Sequence, residues 1–444
     1  MRMQVIAGET IFAASTAPGR SAIAVIRVSG PGALEAVFRT CGVRPLPRVA
    51  TLSSFKDPVD GQLIDRILVL WFPGPRSFTG DDCAEFHVHG GRAVLRAVLR
   101  VLGEVPNFRL ARAGEFTRRG FVNGKLDLVE VDGLADVIAA DTEMQLRQAQ
   151  AVAGGHLSSR VSSWRSNLIS AQALLEANID FSDEADVPSQ FDSEVISLVK
   201  CVLDEMRLLL AEFKRGEIVR EGFVVVIVGA PNSGKSSLLN AIARRDVAIV
   251  SAEPGTTRDL IEVSVDLDGI AVVLVDTAGL REIAAGVESE GIRRARLRAV
   301  TADLALWVSD HENPSFAPEG LIDSGQVLSV RSKSDLCPEV MESADIVSVS
   351  SVTGFGIADL MGRIRSVAEG AVRGARPALL AQERHRSQVA QAVAELERLP
   401  AHRRSVELMA EDLRRACWSL ESMIGKVGAE SVLGEIFSRF CIGK

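Results

Sequence analysis

The chain of 444 residues is too long for one hydrophobic core, so its length predicts two to four domains. Apolar residues make up 47% and charged residues 24%, which is typical of a folded protein and excludes extended disorder. The formal net charge of −8 argues against indiscriminate nucleic-acid binding, which needs a broad basic field, but leaves room for a local basic patch.

Six cysteines are scattered without a C-x-x-C pair or a metal-ligand spacing, which favours free thiols in a reducing compartment. No apolar run approaches the length of a membrane span, and the N-terminus has no secretory leader pattern. We therefore expect a cytoplasmic protein without membrane attachment.

Residues 1–122 are predicted to form an N-terminal α/β domain. Short β-rich runs at 22–28 and 67–72 alternate with Pro-Gly turns, and a helix is expected after Gly91.

In residues 123–221 and 375–444, the apolar residues recur with the spacing of a helix instead. One seam alternates steps of four and three, as in a coiled coil: Val195, Val199, Val202, Met206, Leu209 and Phe213. Because each segment carries an apolar stripe that needs a partner, we predict that the two pack together as one discontinuous helical bundle.

Residues 222–374 contain four short, nearly continuous apolar runs, at 223–228, 271–275, 304–308 and 327–330. Such runs are typical of strands buried on both faces of a parallel sheet with crossover helices. They predict an α/β domain inserted into the helical one.

A phosphate-binding loop follows the first of these runs. Residues 229–236, GAPNSGKS, match G-x-x-x-x-G-K-S between the strand and an apolar helix. Backbone amides there can surround phosphate oxygens, while Lys235 reaches the β- and γ-phosphates and Ser236 takes a magnesium position. The predicted fold class is therefore a multidomain α+β protein: an N-terminal α/β domain, a helical bundle and an inserted P-loop α/β domain.

Two further elements fit a nucleotide switch. Asp276 begins the sequence DTAG directly after the strand at 271–275, where it would hold magnesium through water, and Gly279 would approach the γ-phosphate. PGTTRD at 254–259 fits a first switch loop, in which Thr257 would complete the magnesium shell.

The base-recognition element is Ser332-Lys333-Ser334-Asp335, where N-K-x-D is usual. Asp335 can accept hydrogen bonds from two guanine donors, and Lys333 can lie along the base. Serine in place of asparagine means that one amide contact is lost or replaced by a hydroxyl. The element predicts guanine specificity, with residues 350–352 as the candidate last base-contacting loop.

Leu280 occupies the position where many GTPases place a glutamine that orients the attacking water. Another group must then position that water. The acidic candidates are Glu282, Glu288 and Glu290, although chemistry alone favours a solvated carboxylate for each of them, and Arg258 and Arg281 flank the site.

The chain resembles the MnmE (TrmE) family of tRNA-modification GTPases over essentially its whole length. The resemblance lies in GAPNSGKSSLLN, PGTTRD, DTAGLRE, WFPGPRSFTGDD, HVHGG, AGEFTRRGFVNGKLDL and the terminal FCIGK. It implies that the N-terminal domain forms a homodimer and binds a folate one-carbon donor, 5-formyl- or 5,10-methylene-tetrahydrofolate. The positions matching the family's folate contacts are Arg27, Glu85, Lys125 and Lys444.

The resemblance also implies roles within the GTPase and modification sites. Glu288 matches the acid that positions the attacking water, and Cys441 matches a cysteine needed for modification. Magnesium would be held by Ser236 and Thr257, and potassium by Asn232, Ser251, Glu253 and Thr256. The full predicted set of GTP contacts is Asn232, Ser233, Gly234, Lys235, Ser236, Ser237, Ser251, Ala252, Glu253, Pro254, Gly255, Thr256, Thr257, Asp276, Thr277, Ala278, Gly279, Ser332, Lys333, Ser334 and Asp335.

The activity that the resemblance implies is modification at C5 of the wobble uridine of certain tRNAs, giving an aminomethyl or carboxymethylaminomethyl group. It also implies a heterotetramer or larger complex with the FAD-dependent partner MnmG (GidA), and this chain carries no dinucleotide fingerprint of its own. One alternative is a regulatory RNA-binding GTPase of the ribosome-assembly type. Another is an ATP-using P-loop protein, which Asp335 disfavours. The sequence does not say which tRNAs are modified or whether ammonium or glycine supplies nitrogen.

Overall fold

The structure is a computed structural model that describes residues 8–180, 190–244, 248–249, 261–276, 302–312, 314–317, 326–336, 346–374, 376–399, 405–428, 430–438, 440 and 442–443. The chain divides into two compact units. Unit one is formed by Met1–Ala135 and Leu420–Lys444, and unit two by Asp136–Ser419.

The described strands and helices alternate as the sequence predicts. The strands are β1 (Thr10–Ala14), β2 (Ser21–Ser29), β3 (Thr51–Lys56), β4 (Leu63–Phe72), β5 (Cys83–Gly90), β6 (Phe108–Leu110), β7 (Phe223–Gly229), β8 (Ala248–Ile249), β9 (Ile261–Leu267), β10 (Ile270–Asp276), β11 (Leu304–Asp310), β12 (Val327–Ser332) and β13 (Ile346–Ser348). The helices are α1 (Ala33–Cys41), α2 (Arg92–Gly103), α3 (Glu115–Val122), α4 (Leu128–Ala139), α5 (Glu143–Ala153), α6 (His156–Asp180), α7 (Gln190–Ala211), α8 (Phe213–Glu221), α9 (Lys235–Ala243), α10 (Ile357–Val372), α11 (Glu383–Arg398), α12 (Val406–Ile424) and α13 (Glu430–Ser438).

Unit one is built on a six-stranded sheet in the order β3-β4-β5-β2-β1-β6. One face packs against α1 and α2 in an apolar core that includes Ile26, Phe55 and Phe86. Successive side chains on a strand point to opposite faces, so residues adjacent to these core positions face away from the helices. This alternation places Arg27 of β2 and Glu85 of β5 together on the other face.

The end of the chain packs within unit one. Phe437 of α13 and Phe440 join Leu128 of α4 in a small apolar cluster, and Phe121 of α3 packs against it. The sequence assigned residues 375–444 to one helical domain, whereas the contacts of Leu420–Lys444 group that segment with the N-terminal residues. The domain boundaries at 122, 221 and 374 stay predictions.

Unit two contains a seven-stranded sheet in the order β13-β12-β11-β7-β10-β9-β8. Strands β7, β10, β11, β12 and β13 are parallel, as predicted. Two further strands, which the sequence did not predict, are antiparallel: β9 to β10, and β8 to β9. Asp268 and Gly269 both have positive φ in the β9–β10 turn, and this Asp-Gly pair was an unused hairpin signal.

The helical part of unit two follows the predicted seam with one difference. Val195, Val202 and Leu209 are each 1% exposed on α7, but the helix ends before Phe213, which is half-buried at the start of α8. Helix α7 packs against α6, where Trp164 donates a hydrogen bond to Glu205 at 2.7 Å, and also against α11.

The predicted combination of an α/β unit, helices and an inserted P-loop α/β domain is confirmed. Within the described part of the chain, none of the helices is both long enough and apolar enough to cross a bilayer.

Candidate functional site

The phosphate-binding loop joins β7 to α9 in unit two. Gly229 has φ of 155°, and a Cβ there would collide with the carbonyl oxygen of Val308 on β11. Gly234 has φ of 86°, and Asn232 also has positive φ, a conformation that asparagine tolerates better than most residues. Glycine is therefore required at 229 by both space and backbone conformation, and the loop can bring its amides close to a phosphate.

Lys235 begins α9 and turns back over this loop. Its ammonium donates to the carbonyl oxygens of Gly229 at 3.1 Å and Ala230 at 2.7 Å. The hydroxyl of Ser233 is buried and has no hydrogen-bond partner among the described residues. Two features fit a bound chain of phosphates: the lysine side chain that lies over a glycine-rich loop, and the buried hydroxyl that has no hydrogen-bond partner among the described residues.

The pair expected to hold magnesium is brought together by strand register. Asp276 ends β10 with no exposed surface, and it accepts a hydrogen bond from the hydroxyl of Ser236 at 2.6 Å. Parallel pairing of β10 with β7 sets Asp276 beside Ile227, two residues before the loop begins. Two converging oxygens are the donor type that magnesium prefers, so the residues present fit that ion.

The base-recognition loop is tied directly to the phosphate loop. Ser332 ends β12, and its hydroxyl donates to the carbonyl oxygen of Ser233 at 2.6 Å. The sequence left open whether the amide contact of the usual asparagine is lost or replaced by a hydroxyl. The structure shows a hydroxyl contact from Ser332 across the site. The contact joins two loops that lie 99 residues apart in the chain.

The carboxylate expected to select guanine is exposed but held in place. Ser350, which has no exposed surface, donates from its hydroxyl to Oδ1 of Asp335 at 2.6 Å. The same hydroxyl accepts from the amides of Val352 at 3.3 Å and Thr353 at 3.1 Å. The loop at 350–352 thus positions the carboxylate while leaving its other oxygen open to a base.

Lys333 has positive φ and pairs with Asp310 at the end of β11, 3.2 Å from Nζ to Oδ2. Burial and the charge of Arg331 lower the pKa of the neighbouring His311. Sequence reasoning did not single out Asp310, although an acid at the carboxyl end of a parallel strand was a usable signal.

A second candidate site lies on the face of the unit-one sheet opposite α1 and α2. Arg27 and Glu85 are register partners on β2 and β5, and Nη2 and Nε of Arg27 donate to Oε1 of Glu85 at 2.9 and 3.1 Å. The guanidinium carbon lies 5.3 Å from the ring centroid of Phe78 and 5.9 Å from that of Phe116. His87 approaches the other carboxylate oxygen at 3.4 Å. The sequence did not single out Phe78, although it lies within the quoted FTGDD segment.

Lys125 is exposed in the turn between α3 and α4. Its backbone amide donates to Gly120, and its side chain makes no hydrogen bond or ion pair to any described residue. Of the predicted folate contacts, the structure brings together Arg27 and Glu85 but not Lys125.

The last described residues lie against the start of unit one. Ile442 pairs with Ala113, and the hydroxyl of Ser15 donates to the carbonyl oxygen of Gly443 at 2.9 Å. Ser15 directly follows β1, the strand that pairs with β2. The C-terminal segment therefore comes close to the sheet that carries the Arg27–Glu85 pair.

Several predicted site residues lie outside the described residues. They are Glu288 and Cys441, the switch positions Ser251, Ala252, Glu253, Pro254, Gly255, Thr256 and Thr257, the positions Thr277, Ala278 and Gly279, and Lys444.

The phosphate loop, the buried aspartate and the exposed base-selecting carboxylate place unit two among the P-loop GTPases. A family model described as the MnmE helical domain matches residues 128–441, and one described as the GTP-binding protein TrmE N-terminus matches residues 10–125. The tRNA modification GTPase MnmE of Beijerinckia indica subsp. indica is 50% identical over 436 residues, 98% of this chain and 96% of that protein. The chain therefore belongs to the MnmE family of tRNA modification GTPases.

A second relative supports the same assignment. The tRNA modification GTPase MnmE of Azorhizobium caulinodans is 48% identical over 437 residues, 98% of this chain and 99% of that protein. The solved G domain of the T. maritima FeoB iron transporter is 26% identical, covering 33% of this chain and 98% of its own, at a TM-score of 0.25, too low to carry an argument about fold.

Proposed function

We propose that this chain couples potassium-stimulated GTP hydrolysis to modification of C5 of the wobble uridine, position 34, in certain tRNAs. The product is the aminomethyl or carboxymethylaminomethyl form, and the carbon comes from a reduced folate. The observation that carries the proposal is the Arg27–Glu85 pair, which a GTPase acting only as a switch does not need.

The folate proposal follows from the chemistry of that pair. Glu85 can accept hydrogen bonds from the N–H donors of a pterin, and Arg27 fixes the orientation of its carboxylate through two hydrogen bonds. Phe78, 37% exposed beside Arg27, offers a ring against which a flat heterocycle can stack. Lys125 and Lys444 are the proposed partners of the glutamate tail, and a bound folate would supply the one-carbon unit.

The hydrolytic proposal rests on the GTPase site. Ser236 and Asp276 supply oxygens for magnesium, directly and through water, with Thr257 as the second direct ligand. Asn232, Ser251, Glu253 and Thr256 are the proposed potassium ligands. A cation there would offset charge that develops at the phosphates.

Two residues are proposed for chemistry itself. Glu288 would position the attacking water, which Leu280 cannot do, and Cys441 would act in the modification step. We further propose a homodimer and an assembly with FAD-dependent MnmG, whose flavin would perform the redox step. The cytoplasm is the compartment that we propose for this complex.

The test is the nucleoside content of tRNA from cells that lack the protein, measured by mass spectrometry after complementation. We expect the wild type to restore the modified wobble uridine, and Lys235→Ala and Glu85→Gln to fail. Glu104→Gln is the matched control, because Glu104 is an exposed acid of the same unit whose ion pair with Arg100 lies on the surface. Normal wobble-uridine modification in cells that lack the protein would contradict the proposal.

A further inference from the structure

Three exposed arginines lie in two loops of unit one that are connected by hydrogen bonds. Arg44 and Arg48 belong to the loop between α1 and β3, and Arg76 belongs to the loop between β4 and β5. The amide of Arg48 donates to the carbonyl oxygen of Trp71 at 2.8 Å, and its guanidinium donates to the carbonyl oxygen of Arg76. We call these three residues the arginine face.

Aromatic rings, rather than carboxylates, lie beside two of the three arginines of the arginine face. The guanidinium carbon of Arg44 lies 5.1 Å from the ring centroid of Phe38, and that of Arg48 lies 5.7 Å from that of Phe72. None of the three arginines forms an ion pair with a described residue, whereas Arg27 and Arg109 in the same unit do. The rings beside Arg44 and Arg48 can orient these two guanidinium groups without neutralising their charge.

The local charge is positive although the whole chain is acidic. Residues 42–50 and 73–78 contain no aspartate or glutamate, while the formal net charge of the chain is −8. The two acids at the end of the second loop contact other groups: Asp81 pairs with Arg119, and Asp82 accepts a hydrogen bond from the amide of Gly74. Unpaired guanidinium groups beside aromatic rings are the chemistry that binds RNA phosphates and stacks with unpaired bases.

One of the two loops of the arginine face leads to the candidate one-carbon site. The loop that carries Arg76 continues to Phe78, whose ring lies 5.3 Å from the guanidinium carbon of Arg27. We propose that the arginine face binds the phosphates and unstacked bases of a tRNA anticodon loop, and so brings the wobble base to the Arg27–Glu85 pair. This inference rests on the proposed function, to which it adds the surface that receives the RNA.

The test compares two triple variants of the full chain with equal charge change. Arg44→Gln/Arg48→Gln/Arg76→Gln removes the arginine face. Arg66→Gln/Arg92→Gln/Arg96→Gln is the control, because those arginines are also exposed in unit one and form no ion pair with a described residue.

Binding of a labelled anticodon stem-loop RNA is measured by fluorescence anisotropy at several salt concentrations. We expect the arginine-face variant to bind about tenfold or more weakly, with the slope of log K against log salt reduced by about 2, since each single-stranded phosphate contact contributes about 0.7. The control should keep most of the affinity and slope. Equal losses in the two variants, or no loss in either, would overturn the inference.

Two further measurements separate the alternatives. A duplex RNA without a loop should lose less affinity than the stem-loop, because its bases cannot stack on the arginine face. If the arginine-face variant binds RNA normally but changes its sedimentation coefficient, the surface joins two copies of this chain and the inference is wrong. Arg76→Gln alone, whose side chain makes no hydrogen bond to a described residue, should show part of the effect without disturbing the loops.

Failure of the inference is distinguishable from failure of the proposed function. If the wild type and the arginine-face variant modify the wobble uridine equally and bind RNA equally, only the inference is overturned. If the wild type neither binds the stem-loop nor restores modification, both are overturned.

Discussion

At the scale of single residues, the GTPase site depends on hydroxyl groups that span its loops. Ser332 reaches the phosphate loop and Ser350 holds the base-selecting carboxylate, both through hydrogen bonds of 2.6 Å. Ser332 and its partner Ser233 are both buried, so removing the Ser332 hydroxyl leaves the Ser233 carbonyl unsatisfied at a cost of about 1–3 kcal/mol. Serine in place of the usual asparagine at position 332 is therefore compatible with a base-recognition loop that is hydrogen-bonded to the phosphate loop.

We expect Ser332→Ala to weaken GDP binding by about tenfold, because loss of the contact leaves the Ser233 carbonyl without its donor and frees the two loops from each other. Ser329→Ala on the same strand is the control, since the hydroxyl of Ser329 makes no hydrogen bond to a described residue. Stopped-flow release of a fluorescent GDP analogue measures the effect. An unchanged affinity in Ser332→Ala would show that the contact is not needed for binding.

At the scale of elements, the inserted α/β domain is joined to its helical neighbours by close backbone contact. Helix α8 leads into β7, and a Cβ on its Gly216 would collide with the carbonyl oxygen of Leu380, in the segment that follows α10. Gln148 of α5 donates to the Gly216 carbonyl at 3.0 Å, and Ile218 of α8 is part of the core of the sheet. The connections into and out of the inserted domain therefore touch each other.

We expect Gly216→Ala to lower the free energy of unfolding by about 1–3 kcal/mol, because the added methyl group forces two backbone segments apart. Gly370→Ala on α10 is the matched control: nothing lies within 4 Å of its added Cβ, and alanine favours a helix by about 1 kcal/mol over glycine. Urea denaturation of the two variants measures the difference. A Gly216→Ala protein as stable as the Gly370→Ala protein would contradict the packing argument.

At the scale of the whole molecule, the two candidate sites belong to different compact units. The Arg27–Glu85 pair lies in unit one, and the GTPase site lies in unit two. The chemistry proposed for the first site and the hydrolysis proposed for the second can therefore be tested by separate substitutions, whereas the proposed coupling between them requires both sites.

We expect GTP hydrolysis by the full chain to be faster in potassium than in sodium at equal ionic strength, because the proposed ligands would hold a potassium-sized cation at the phosphates. Asn232→Ala should remove the difference between the salts. Glu85→Gln, in the other unit, should retain it. Release of inorganic phosphate at steady state measures all three, and equal rates of the wild type in both salts would exclude the cation site.

The sequence by itself determined those structural features that depend on residues close together in the chain. The phosphate loop, the strand before it and the helix after it follow from local spacing and from the backbone freedom of glycine at 229 and 234. The parallel strands could be predicted for the same reason, because a strand buried on both faces is a continuous apolar run in the sequence. The β8 and β9 strands were missed, because an edge hairpin lacks that signature and depends on its Asp-Gly turn.

Only the tertiary structure decided which distant residues meet. Arg27 faces Glu85 across 58 residues, Ser332 reaches Ser233 across 99, and Ser15 meets Gly443 across 428. Strand register and the packing of α13 in unit one set these contacts, and neither is encoded in a local pattern. For the same reason, the arginine face could be distinguished from ordinary surface charges only once the fold showed the rings beside Arg44 and Arg48 and, among the described residues, no carboxylate paired with any of the three arginines.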